Sequence, residues 1–445
     1  MIMELDSIVD FMKKEALSHE IDDVSAIGTS ELEEMVRFSN NSVTVVKSLV
    51  NISLAIYLGY DKRRVIGILS NPSESAIRKF IESLIKNCRS SPQTDEYVSL
   101  PRGPFTYSSN PECDKSIVGE PERLVEYARL AIDSSMASGA SRTSGSVTSH
   151  VQEMILSTSS GAQARETGTS ILLNVRAFAD DDASGHGLSC GSTVKMIDAE
   201  EAGRRAGDYA KRARGPKECK EGKYDILFIP TVAADLFQYV GAAASAFSVD
   251  TGTSFLANMV GENTAIDDIS VSDIGVPSGG ISGRGFDDEG YPTGKTPIIA
   301  DGLLQGYLHN STTAKKFNSE TTGNAGIIDP HPWNLEIDPG SYQLEEMIED
   351  IDEGILVTNN WYTRFQNLRA GAYSTIPRDA TFMIENGAIG NPIQGIRISD
   401  TLPRQLKNIG AISKHREWIK WWEVDTPTFS PAIVVNDVSV TRAIS

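Results

Sequence analysis

The sequence predicts an α+β protein, with a mixed α/β N-terminal domain over residues 1–213 and a β-rich C-terminal domain over 214–445. Three observations carry this reading. Between Leu32 and Leu58 the chain alternates β-branched and polar residues, as in Ser42-Val43-Thr44-Val45-Val46 and Ile52-Ser53-Leu54-Ala55-Ile56, a period-2 pattern that belongs to strands. The segment Arg214-Gly215-Pro216-Lys217 has the composition of a domain linker. Beyond it lie two hairpin signals, Asp301-Gly302 and Asn386-Gly387, dipeptides that supply the two positive-φ positions of a tight β-turn.

The elements follow in order. Ile8, Phe11 and Met12 recur at helical spacing and predict a first helix. Antiparallel strands come next, including Arg64–Leu69, with Asn40-Asn41 and Tyr60-Asp61 as turns. A helix over Glu74–Asn87 starts at the hydroxyls of Ser73 and Ser75, with Ala76, Phe80, Leu84 and Ile85 on one face. Residues 89–118 read as a loop, and a helix over Glu122–Ser134 runs into a Ser/Gly-rich stretch, Ser135–Thr148. Strands Val151–Ser157 and Ile171–Phe178 and a helix over Ala199–Ala213 complete the first domain. In the second, strand Tyr224–Ile229 leads through Pro230 into a helix rich in small residues (Ala242, Ala243, Ala244, Ser245, Ala246). Hairpins are predicted at Pro297–His309 and at Thr381–Glu385 with Ala388 onward. Between them, a helix over Ser341–Gly354 is capped by Ser341, buries Leu344, Met347, Ile348 and Ile351, and stops at Gly354.

The chain has 445 residues, 40% hydrophobic and 23% charged, which is ordinary for a globular protein with a sizeable core. A formal net charge of −19 argues against direct contact with a nucleic-acid backbone, because that affinity comes from Lys and Arg. Cys88, Cys113, Cys190 and Cys219 show no C-x-x-C spacing and read as reduced thiols. Met1 to Asp6 lack the basic and apolar regions of a signal peptide. Ile226–Phe247, the most apolar stretch, is broken by Pro230, Asp235 and Gln238 and does not read as a membrane span. A soluble, cytoplasmic protein without membrane or direct nucleic-acid contact is expected.

The chemistry-bearing positions are few. Asp287, Asp288 and Glu289 lie between Gly285 and Gly290. Three consecutive carboxylates converge only if the chain turns, so a structural turn is the favoured reading over a cation site or an acid/base pair. In Asp180–Gly187, His186 stands among carboxylates but in a Gly-rich context that reads as a turn. Ser278–Gly285 (including Gly279, Gly280 and Ser282) exposes backbone amides that either cradle a peptide or cross the sheet. Trp418, Trp421 and Trp422 with His415 form the densest aromatic cluster, either core or docking surface. There is no Walker A sequence, no G-x-S-x-G elbow and no complete G-x-G-x-x-G.

Taken together, the block Phe286–Ala325 (carboxylate turn, apolar strand, Asp301-Gly302 turn, return strand, the Ala314-Lys315-Lys316 segment and Thr322-Gly323-Asn324-Ala325) resembles the TldD/PmbA family, also called modulators of DNA gyrase, some of whose members are metallopeptidases. The TldD branch carries an H-E-x-x-x-H zinc motif on a helix upstream of the carboxylate turn. Here Pro230–Phe237 holds neither His nor Glu, His19-Glu20 is not followed by a second His at zinc spacing, and no Cys follows Cys219. A zinc peptidase site needs imidazoles for the ion and a carboxylate for its water, so the chain is similar to the PmbA/TldE branch. The resemblance implies a non-catalytic subunit of a TldD/TldE-type complex that trims small unfolded peptides, with no metal of its own and zinc in a TldD-type partner, as a heterodimer or else a homodimer. Cleft or peptide-binding positions would be Gly279, Gly280, Ser282, Asp287, Asp288, Glu289 and Asn324. Two other readings stay open: a stand-alone hydrolase built on His186 or Asp287/Asp288, and a regulatory binding protein acting on DNA gyrase or toxin–antitoxin systems.

Overall fold

The computed structural model describes residues 4–442 apart from 71, 108–109 and 327; Met1–Met3, part of the segment expected to lack a signal peptide, lie outside the described residues. The N-terminal half is one antiparallel sheet covered on one face by helices. Helix α1 (Leu5–Leu17) precedes strands β1 (Asp23–Ser39), β2 (Ser42–Tyr60) and β3 (Arg63–Ser70), and helices α2 (Glu74–Ser90) and α3 (Pro121–Ala137) follow. Strands β4 (Arg142–Thr158), β5 (Gln163–Phe178) and β6 (Ser184–Gly191) and helix α4 (Ala199–Arg212) complete the unit. The strand order is β3-β2-β1-β4-β5-β6.

Turn chemistry sets the register. Asn40 and Asn41 adopt φ of 51° and 63°, and Asp61 and Lys62 adopt 47° and 59°, which places the second turn one residue later than predicted. The Ser73 hydroxyl accepts the Ala76 N–H and caps α2. The buried face of α2 is Ile77, Ile81, Leu84, Ile85 and Cys88, rotated from the predicted stripe so that Ala76 and Phe80 stay half-buried.

Side-chain parity divides the sheet. Val36, Val147 and Leu173 lie opposite one another on adjacent strands and pack into the core with Ala128 and Ala131 of α3 and Ala202 and Ala206 of α4. The alternate residues, such as Arg37, Ser146 and Asn174, form cross-strand rows on the other face. That face looks toward the C-terminal half. The predicted Gly-rich turn around His186 is instead strand β6, paired along β5 with His186 opposite Arg176. Its glycines serve close packing: a Cβ on Gly187 would sit 1.9 Å from the Ala202 carbonyl oxygen of α4. Likewise the polar stretch Ser135–Thr148 is the end of α3 and the start of β4, where pairing on both sides outweighs a weak local propensity.

The C-terminal half forms one branched sheet. Its elements are β7 (Lys217–Glu218), β8 (Gly222–Phe228), α5 (Pro230–Ala243), α6 (Ala246–Asp250), β9 (Val271–Ile274), β10 (Lys295–Ala300), β11 (Leu303–Leu304), α7 (Ser311–Lys316) and β12 (Leu335–Ile337). They continue with α8 (Leu344–Glu349), β13 (Glu353–Val357), β14 (Asn360–Asn367), β15 (Ala372–Pro377), β16 (Thr381–Glu385), β17 (Ala388–Gln394), β18 (Ile396–Thr401), α9 (Leu402–Lys407), β19 (Ile409–Trp421) and β20 (Val424–Arg442). β20 is the hub, paired with β8, β12, β18 and β19. Helices and strands thus mix in each half, and the fold is α+β.

Both predicted hairpins form. Asp301 and Gly302 have φ of 48° and 75°, and Asn386 and Gly387 have 51° and 73°. The first return strand is only Leu303–Leu304, because the chain then leaves to join the α5–α6 junction, where the Leu308 N–H donates to Ala244 O at 2.8 Å. The helix predicted over Ser341–Gly354 shrinks to α8, capped by Gln343. Gly354 is not its stop signal but a residue of β13, where a Cβ would meet the Asp225 carbonyl of β8 at 2.5 Å.

Candidate functional site

Helix α5 forms over the segment where the resemblance to the TldD branch would put the zinc motif. Pro230 stands at its first turn, and every residue from Thr231 to Gln238 is buried, as in a helix enclosed on all sides. Two of its polar side chains are fully engaged. Asp235 accepts hydrogen bonds from Gln238 Nε2 (2.8 Å), Asn360 Nδ2 (2.5 Å) and Thr363 Oγ1 (2.6 Å). Burial pushes its pKa up to about 7 against the opposing effect of these donors. Gln238 donates to Glu423 O at 2.6 Å and accepts the Asp425 N–H at 2.8 Å. A zinc ion does not fit here: α5 offers no imidazole, the oxygens of its one carboxylate are taken, and no cluster of three His, Cys, Asp or Glu suited to a metal occurs among the described residues.

The same bonds show what α5 holds in place. Asn360 and Thr363 belong to β14, which carries Trp361. Glu423 lies in the β19–β20 turn with Trp422, and Asp425 just after it, beside Trp421. Ala234, Ile419, Trp421 and Val424 pack as one apolar cluster, with Trp361 and Leu188 against it. The helix is therefore the scaffold of an aromatic wall.

That wall bounds a cavity of about 640 Å³. Its floor is the open face of the N-terminal sheet, with Arg37, Ser146 and Asn174 in one row and Arg176 and His186 in the next. Arg176 pairs with Asp379 at 2.7 Å, and Asp379 also accepts from Ser184 Oγ (2.6 Å) and Asn359 Nδ2 (3.0 Å). The His186 ring lies 4.7 Å from that of Trp421, with Nε2 3.1 Å from Asn174 Oδ1. Burial lowers its pKa to about 4, so the imidazole is neutral near pH 7. Trp361 meets Trp422 edge-on at 4.7 Å, and the Arg378 guanidinium lies 4.3 Å over Trp361. Sequence reasoning noticed the tryptophans and His186 separately; no local pattern joined them to Arg37, Arg176 or Asp379.

The carboxylate turn lies at the other end of the sheet and acts as a strut. Asp287 is fully buried; its Oδ1 accepts the Glu289 and Tyr291 N–H groups at 3.0 and 2.8 Å, and Oδ2 that of Ala325 at 3.1 Å. Asp288 pairs with Arg284 at 3.0 Å, its carbonyl accepts from Ser25 Oγ at 2.8 Å, and Glu289 accepts the Ser311 N–H at 3.0 Å. Burial, and for Asp287 also the neighbouring Glu289, raises the pKa of both Asp287 and Glu289. The three carboxylates thus take separate partners. Asn324 is buried against Asp273 and His331 O. In the glycine loop, Gly279 and Ser282 have φ of 65° and 58°. Ser282 lines a second cavity of about 220 Å³ with Glu31, His150, Glu166 and Lys420, whereas Gly280 is pressed against Pro277 and Trp418. The structure therefore separates the seven predicted positions: Ser282 borders open space on the sheet face, while Asp287, Glu289 and Asn324 are tied into the framework.

An α+β protein with two sheets facing a cleft, and a helix at the cleft wall, is the class that fold and site define. Residues 120–214 match the PmbA/TldA metallopeptidase central domain and residues 221–442 the PmbA/TldA metallopeptidase C-terminal domain. The chain belongs to the PmbA/TldD family. It is 27% identical to a metalloprotease of Methanothermobacter thermautotrophicus over 68% of this chain and 71% of that protein. Against a PmbA metalloprotease homologue of Haemophilus influenzae it is 24% identical over 87% and 85%. Its fold is similar to that of TldE from Thermococcus kodakarensis, with a TM-score of 0.85 at 20% identity, covering 98% of this chain and 99% of the other.

Proposed function

We propose that this chain is a non-catalytic subunit of a TldD/TldE-type metallopeptidase complex, in which a TldD-type partner carries the zinc and cleaves small unfolded peptides. The observation that carries this reading is α5: where hydrolysis would need imidazoles and a free carboxylate, Asp235 is bonded to three donors and the helix is spent on building the cavity wall. A hydrolase built on His186 is less supported, since that ring is buried against Trp421 and bonded to Asn174. Among the described residues no helix is long and apolar enough to cross a membrane, which agrees with a cytoplasmic complex. Peptide hydrolysis by the purified chain, by a TldD-type protein and by their mixture tests the proposal. Activity that rises in the mixture with no turnover by this chain alone is the expected result. A mixture no more active than the TldD-type protein alone, with no association on gel filtration, overturns it.

A further inference from the structure

We propose that the 640 Å³ cavity binds short peptides that end in a bulky apolar residue with a free α-carboxylate. Four features of the cavity point to this ligand. Its volume falls in the range of small-ligand sites. Its open apolar surface comes from Val45, Trp361 and Trp422, and Trp422 is 60% exposed, a large aromatic left open where an apolar side chain could cover it.

The unpaired polar atoms have the chemistry of a peptide unit's complement. Trp361 Nε1 and Trp421 Nε1 are donors without acceptors, and Asn359 Oδ1 is an acceptor without a donor. Asn359 is held in orientation because its Nδ2 is spent on Asp379. These atoms are closed off from water in the free chain, so a ligand's backbone C=O and N–H would pair with them as the wall side chains shift to admit it.

Charge sets the remaining preference. In a chain of net −19, this cavity is lined by Arg37 and Arg176 against the single carboxylate Asp379, which already pairs with Arg176. Of the two guanidinium groups, that of Arg37 has no ion-pair partner among the described residues. A guanidinium beside an aromatic wall favours a planar carboxylate over a neutral amide end.

The choice of a peptide over other amide-bearing acids rests on the reading of the chain as a peptidase-complex subunit, but its test does not need the partner. Isothermal titration of the full chain alone with the tripeptide Ala-Ala-Phe, as free acid and as C-terminal amide, reads the proposal directly. The free acid should bind, and the amide at least about tenfold more weakly, the loss of one charge-assisted contact. Arg37→Ala and Trp422→Ala, both at exposed side chains, should each weaken the acid by a similar factor with an unchanged unfolding midpoint. Equal affinity for acid and amide, no binding of either, or unaltered binding by both variants overturns the proposal. Such a failure leaves the subunit reading standing, and a failed mixture assay leaves a measured affinity standing.

Discussion

The Thr363 hydroxyl donates to Asp235 Oδ2 over 2.6 Å, tying strand β14 to the helix where the family's TldD branch would place its zinc ligands. The bond gives α5 a different task, holding Trp361 at the cavity wall. Thr363→Val keeps the shape and removes the donor. It should destabilise the chain by about 1–3 kcal/mol and change the near-UV circular dichroism of the tryptophans. An unchanged spectrum and midpoint would detach the helix from the wall.

Asp235 and Asp273 each have a pKa raised to about 7, in both cases chiefly by burial. Between about pH 4 and pH 7 the folded chain keeps protons that the unfolded chain has released, so this contribution to stability falls as pH rises through that window. The urea midpoint should therefore be higher at pH 5 than at pH 8, and aspartate carboxyl carbon shifts should show groups titrating near 7. Both groups titrating below 4 would contradict the burial argument.

Asp287→Ala leaves the N–H groups of Glu289, Tyr291 and Ala325 without their acceptor. At roughly 1 kcal/mol or more for each buried donor, the expected loss is about 3 kcal/mol in urea unfolding. A merely exposed turn residue would cost under about 0.5 kcal/mol.

Gly187→Ala would drive a methyl group against the Ala202 carbonyl, 1.9 Å away. Separating β6 from α4 should cost about 1–3 kcal/mol, read from the same unfolding curve. A neutral effect would mean that the strand and helix can part without penalty.

The hairpins at Asn40-Asn41, Asp301-Gly302 and Asn386-Gly387 were legible because a positive-φ turn is a local property of two residues. Helices α1 and α2 were legible from their apolar spacing, although the buried face of α2 is rotated from the predicted stripe. The errors arose where neighbours decide. Gly354 looks like a helix stop until β8 is packed against it, and Gly185-His186-Gly187 looks like a turn until α4 needs a glycine-lined strand. The cavity was the least legible feature. Arg37, Ser146, Arg176 and Trp421 come from strands far apart in sequence and Asp379 from the β15–β16 loop, and they meet only through the packing of the two halves and the turn that Gln238 holds.

The central claim is that α5 serves as a scaffold in place of a metal site. Zinc content of the purified chain, measured after equilibration with excess zinc and dialysis, tests it most directly. The account predicts far less than one zinc per chain and no peptide hydrolysis by the chain alone. One tightly retained zinc per chain, with hydrolysis lost on chelation, would contradict it.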